Sequence, residues 1–182
     1  NAGNAKNGDI VSAEIIAYPM RGRPPEGRII KVIGQPGQPG IDSELIIEQY
    51  ELPVHFTPDT LREAEDIPQQ ISAAMRKGRK DLRHLVTVTI DGETARDFDD
   101  AISIEKIKAG YRLWVHIADV SSYVKEGTSL DEEAYQRATS VYLPDRAIRM
   151  LPEALSNGIC SLKPNVDRLT FTCEMDVSAE GE

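Results

Sequence analysis

Cysteine is scarce in this chain: Cys160 and Cys173 are the only two in 182 residues. So sparse a supply excludes a small disulfide-stapled scaffold. With no CxxC pair and no His/Cys cluster there is no zinc signature either, and free, buried thiols of a cytosolic protein are expected. Long apolar runs are also missing. No stretch reaches the roughly 18 apolar residues that a spanning helix needs, and no basic-then-apolar leader opens the chain. Positive charge is in deficit, at a formal net −9, which argues against a protein that coats nucleic acid through a basic surface. It does not argue against a nuclease, because metal sites are themselves built from carboxylates. The opening Asn1–Ala5 is small and polar and lacks a Met; it reads as a cloning remnant with no part in the fold.

What is present divides into three stretches. Residues 8–50 are β-rich. Asp9–Ile16 and Arg28–Ile33 have strand composition, and the segments 21–27 and 34–40 are too rich in Gly and Pro for helix or central strand. Strands joined by such loops suit a small barrel of the OB type; Ile41–Tyr50 suits a helix or a strand, with helix the preferred reading. Residues 51–83 form a connector. Thr57-Pro58 supplies an N-cap followed by Pro at the first helical position, and a second helix is expected over Pro68–Lys77, ending at Gly78. Arg76, Lys77, Arg79, Lys80 and Arg83 make the densest basic run, which serves either as a solvated helix end or as a phosphate contact. From His84 the period changes. Val86, Val88 and Ile90 alternate with polar residues as in a half-buried strand, Ala101–Ile107 and Tyr111–Ile117 form a hairpin about Lys108–Gly110, and Ser129–Glu132 reads as a capping box opening a helix to Ser140 or Val141. Leu169–Val177 alternates again as a strand, and Ser178–Glu182 reads as the turn of a hairpin whose second strand lies beyond the chain.

The segment Ile90–Ala101 carries five carboxylates beside apolar strands. Two like charges 4 Å apart repel by about 1 kcal/mol in water and by about 4 kcal/mol at an effective dielectric near 20. Either the side chains splay into solvent or cations neutralise them. In an ideal strand Asp97 and Asp99 would face one way and Asp100 the other, with Ile102 and Ile104. That would drive Asp100 toward a core, where an unpaired carboxylate is costly. The backbone is therefore expected to leave strand geometry here, letting the aspartates converge as hard oxygen ligands for Mg²⁺ or Mn²⁺. The EF-hand pattern is absent. Arg96 is expected to pair with the cluster and relieve its repulsion, and Trp114, Phe98 and a hydrogen-bonded His116 are expected in the core.

Thr89–Ala101 resembles the active-site signature of the ribonuclease II/R family. Trp114–Ser121, Arg137–Pro144, and Met150–Ser156 followed by Cys160–Pro164 are similar to the family's next blocks, in the same order. The resemblance covers about residues 86–176, and residues 8–50 resemble more weakly the end of a cold-shock (OB-fold) domain. The Pro/Gly loops favour the ribonuclease R branch.

The resemblance implies a β-rich and α+β chain: a partial OB-fold barrel over 1–50, a connector over 51–83, and the N-terminal part of a mixed α+β RNB catalytic domain over 84–182. It implies a Mg²⁺-dependent, processive 3′→5′ exoribonuclease, cytoplasmic, that releases nucleoside 5′-monophosphates from the 3′ end of single-stranded RNA and works with RNA-decay machinery. The segment by itself is expected to be inactive. By position Asp91, Asp97, Asp99 and Asp100 match the family's catalytic, metal-holding aspartates, with Asp99 orienting the critical metal or water. Tyr142 matches an aromatic that stacks on a base near the 3′ end. The competing expectation is a non-catalytic RNA-binding module that keeps the fold.

Overall fold

The computed structural model describes residues 4–182; Asn1–Gly3, within the stretch read as a cloning remnant, lie outside the described residues. The chain divides into two compact units, residues 1–55 with 141–148, and residues 56–140 with 149–182.

The first unit is built on an antiparallel hairpin, β1 (Ile10–Ala17) and β2 (Glu26–Gly34), with three register shifts that add local twist. Gly34 is where the next element closes down. A Cβ there would lie 2.7 Å from Ile41 Cδ1, and α1 (Ile41–Gln49) packs beside β2 with Ile41, Ser43 and Ile47 buried. The helix expected over 41–50 is thus borne out. A second small hairpin, β6 (Val141–Tyr142) with β7 (Ala147–Ile148), belongs to this unit. It is pinned to α1 by Ser43 Oγ donating to Asp145 at 2.5 Å and by the Arg146–Glu44 ion pair at 2.8 Å.

The second unit is a four-stranded antiparallel sheet in the order β3–β4–β5–β8, comprising Thr87–Val88, Asp100–Ile107, Gly110–Ala118 and Thr170–Ser178. The hairpin expected about residues 108–110 is present. Beside it, α2 (Pro58–Asp66), α3 (Ala73–Arg76) and α4 (Ser129–Arg137) surround a core of Ala64, Tyr123, Leu130, Leu155, Ile159, Cys160 and Leu169. Thr57 caps α2 as expected, accepting from Thr60 N at 3.3 Å. Among the described residues no helix is long and apolar enough to cross a membrane.

Four element readings need correction. The helix expected over 68–77 shrinks to Ala73–Arg76, opened by Ser72, whose hydroxyl accepts from Met75 N at 3.3 Å. The cap of α4 is Thr128, accepting from Asp131 N, one residue earlier than read, while the Asp131 carboxylate accepts from Gly127 N at 2.9 Å. α4 also stops at Arg137, because Ala138 turns to φ 61° and Arg137 is held over the Phe56 ring, 3.8 Å from its centroid. The strand read over 86–90 pairs only at Thr87 and Val88; Val86 and Ile90 are 84% and 83% exposed. Cys160 is buried as expected, but Cys173 is exposed; both are free.

Strand alternation gives the sheet two unlike faces. One carries Ser103, Trp114 and His116, all buried. His116 is fully satisfied: Nε2 meets Ser103 Oγ at 3.1 Å and Nδ1 meets Thr172 Oγ1 at 2.9 Å. Burial holds its pKa below the usual histidine value, so it is a neutral structural link, as read. The other face carries Val88, Ile104, Ile117 and Phe171, all exposed.

Candidate active site

The acidic segment enters the sheet through an irregular stretch that becomes strand only at Asp100. The departure from strand geometry expected over 97–99 is what the backbone does. Its position is fixed by backbone hydrogen bonds on both sides: Leu162 N donates to Phe98 O and Ala118 N donates to Asp99 O, each at 2.9 Å. Ser161, wholly buried, closes the clamp. Its hydroxyl donates to Arg96 O at 2.8 Å and accepts from Phe98 N at 3.1 Å. A single side chain therefore satisfies two backbone groups of the segment. Ser161 lies in a block noted from the sequence, but nothing in its spacing reveals this tie across 63 residues.

Asp99 feels the charge of its neighbours. The Asp99 carboxyl is held above its usual pKa, first by the atoms packed around it and then by repulsion from Asp97, Asp100 and Asp91. The residue is solvent-exposed overall, but its carboxyl has lost enough water for neighbouring charges to be felt. Asp100 shares a face with Ile102 and Ile104 as parity requires, yet that face is open, so the burial cost anticipated for it does not arise. Among the described residues no group of three or more His, Cys, Asp or Glu side chains is arranged, as it stands, to hold a metal ion. The donor set is nevertheless four hard carboxylates, three of which bear on Asp99, the chemistry that suits a small divalent cation.

The cation that reaches this cluster is not the one expected. Arg96 turns back on its own loop, donating to Ala95 O at 2.7 Å. Arg149 instead pairs with Asp97 at 2.9 Å, both side chains largely shielded, and lies 3.6 Å from Glu153. Arg149 stands 52 residues from Asp97 in sequence, so periodicity could not find it. Behind the site Asp119, with a side chain 2% exposed, accepts from Arg79 at 2.5 Å, Ser122 Oγ at 2.7 Å and Ser121 Oγ at 2.8 Å. Burial would raise its pKa, but these donors outweigh burial and hold it low. Tyr142 belongs to the other unit, on β6, 68% exposed.

This mixed α+β unit, with its aspartate-bearing segment clamped at the entry to an antiparallel sheet, has counterparts among known proteins. The RNB domain matches residues 79–182 and a cold shock domain matches residues 1–57; the chain belongs to the RNB-domain family. It is 52% identical over 184 residues to ribonuclease R of Thermotoga maritima, covering all of this chain and 26% of that protein. It is 45% identical over 178 residues to ribonuclease R of Escherichia coli, covering 97% of this chain and 22% of that one. The chain thus spans about a quarter of the length of these relatives. Among solved structures, Mycoplasma genitalium RNase R in complex with double-stranded RNA superimposes with a TM-score of 0.87 at 29% identity, over 98% of this chain and 32% of that chain. Yeast Ssd1, a pseudonuclease, shares the fold alone, with a TM-score of 0.65 at 19% identity over 92% of this chain and 21% of that chain. The β-rich cold-shock unit followed by a mixed α+β RNB unit agrees with the sequence reading.

Proposed function

We propose that this segment supplies the carboxylate centre of a divalent-metal-dependent 3′→5′ exoribonuclease that hydrolyses single-stranded RNA to nucleoside 5′-monophosphates in the cytoplasm. The observation that carries the reading is the four-aspartate cluster with the Asp99 carboxyl pressed by the other three, in a chain of the RNB family. Asp91, Asp97, Asp99 and Asp100 would hold Mg²⁺ or Mn²⁺. Such a cation, when bound, activates water and stabilises the leaving 3′-oxygen. The chain's own residues do the rest. Ser161 and Leu162 fix the backbone from which the carboxylates project, Arg149 orients the Asp97 carboxylate, and Asp99 positions the attacking water. Tyr142 offers an exposed ring on which a 3′-terminal base stacks.

The relatives are about four times longer than this chain, and the complete protein is where activity is expected; the 182-residue chain alone is expected to be inactive. The test uses a full-length protein carrying this segment, on RNA labelled at either end. The 3′ label should appear at once as mononucleotide, the 5′ label should persist to a short limit product, EDTA should abolish both, and Tyr142→Ala should change the limit-product length. Internal cleavage, or turnover indifferent to EDTA, sinks the proposal. A second reading, an RNA-binding module without turnover, draws support from the side chains' present failure to converge on one point. It requires RNA binding with no product at any Mg²⁺ concentration.

A further inference from the structure

The basic run 76–83 is left without a role by the proposal above. In the fold four of its five cations gather on one side, Lys77 excepted. Arg76, Arg79, Lys80 and Arg83 line one groove of about 1150 Å³ together with Lys163 and Arg168. Four of the six are paired with carboxylates: Arg76 with Asp167 at 2.9 Å, Arg83 with Asp81 at 2.6 Å, Lys80 with Glu174 at 2.8 Å and Arg79 with Asp119 at 2.5 Å. The other two are uncompensated. Arg168 is bound only to backbone carbonyls, those of Ser161, Asp167 and Gly158, which orient the guanidinium without cancelling its charge. No carboxylate among the described residues pairs with Lys163. In a chain of net −9 this is a local reversal of sign.

The groove is also polar along its floor. Thr87, Thr89, Thr170, Thr172 and His116 line it, on the sheet face opposite the open apolar one. Phe98, from within the acidic segment, forms part of the wall, so the groove runs up to the segment without containing its aspartates. Cations with charge to spare, a hydroxyl-bearing floor and one aromatic wall suit a polyanion with stackable bases and ribose hydroxyls. An acidic peptide would use the cations but not the ring.

We propose that this groove, between the 76–83 connector and the polar face of the sheet, binds the phosphodiester backbone of single-stranded RNA, with Lys163 and Arg168 as the phosphate contacts. The choice of RNA over another polyanion rests on the functional reading above; binding itself does not require turnover. The test titrates the 182-residue chain with a fluorescein-labelled 12-nucleotide oligoadenylate in EDTA, over a range of salt. Each lost single-strand phosphate contact lowers the slope of log K against log salt by about 0.7, which corresponds to about fivefold in affinity at 0.1 M salt. Lys163→Gln should show that loss, Lys163→Glu a larger one, and Lys108→Gln, in the β4–β5 turn, none. Lysine acetylation of the unmodified chain keeps the test independent of variant folding: the oligonucleotide should protect Lys163 and Lys80 but leave Lys108 reactive. Equal affinity and slope for the Lys163 variants, or no protection, overturns the assignment. Poly-glutamate displacing the oligonucleotide at lower charge concentration overturns it in favour of an acidic protein partner. Groove binding that survives alongside a failed nuclease assay refutes the catalytic reading and leaves this one standing.

Discussion

At the scale of single residues, the site is a contest between repulsion and restraint. Asp99 sits where three other aspartates raise its pKa, so removing its charge relieves the cluster while removing a metal or water ligand. In a full-length protein carrying the segment, Asp99→Asn should bind RNA at least as tightly as the parent sequence and degrade it at least ~100-fold more slowly. Fluorescence anisotropy and a single-turnover assay separate the two effects, and near-normal turnover would refute the role given to Asp99. Asp119 shows the opposite balance. Its folded pKa is depressed by donors from Ser122, Arg79 and Ser121 despite burial. A depressed carboxylate contributes stability that is fully present above the unfolded value, near 3.8, and is lost as pH falls through the folded value. Urea midpoints should therefore fall steeply below about pH 4, and Asp119→Asn should flatten that dependence while lowering stability at pH 7. An unchanged acid limb in the variant would assign the acid sensitivity elsewhere. The aspartates themselves were legible in the sequence because five carboxylates in one short segment demand an explanation. Arg149 and Ser161 were not, because each acts on the segment from more than 50 residues away.

At the scale of elements, legibility followed how local each cause was. The cap of α2 is written in Thr57-Pro58, and the β4–β5 hairpin in its alternation and its turn. Where the cause was tertiary the reading slipped. Nothing in 138–141 signals a stop for α4, whereas the fold halts it by holding Arg137 over Phe56 and against the Arg149 carbonyl. The alternation of Val86 and Ile90 predicts a longer β3, but only Thr87 and Val88 pair, with Ser103 and Ile102. Gly110 shows how tightly the sheet is closed at its turn. It adopts φ 143°, and a Cβ there would lie 2.1 Å from Val177 O and 2.7 Å from Ser178 C. Gly110→Ala should force β5 and β8 apart, destabilising the chain by at least ~2 kcal/mol and lowering Tm by on the order of 10 °C. Hydrogen exchange should locate the loss at the Gly110–Ser178 end of the ladder, and uniform protection across β5 and β8 would contradict it.

At the scale of the whole molecule, the two units are not consecutive in the chain: residues 141–148 join the β-rich beginning, and the connector from residue 56 onward joins the mixed remainder. The most visible global property is nevertheless one that sequence alternation hid. Alternation predicts a half-buried strand over 86–90 and sends Ile102 and Ile104 toward a core, but the core lies with the helices, and Val88, Ile104, Ile117 and Phe171 remain open on the sheet's other face. A contiguous exposed apolar face of this kind binds hydrophobic dyes. The folded chain should enhance anilinonaphthalene sulfonate fluorescence, and Phe171→Lys should reduce that signal with the circular dichroism spectrum unchanged. No enhancement from the folded chain would mean that the face is covered in solution.

The two thiols differ in a way that makes this face addressable. Burial pushes the Cys160 thiol up to about 12, so at neutral pH it holds almost no thiolate, the form that attacks electrophiles. Cys173 is exposed, and it pairs with Val115 in the middle of the open face. A maleimide fluorophore should therefore label the unaltered sequence at one position, without mutagenesis. An environment-sensitive dye placed there becomes an optical gauge of that surface, dim while water touches it and brighter once anything excludes the water.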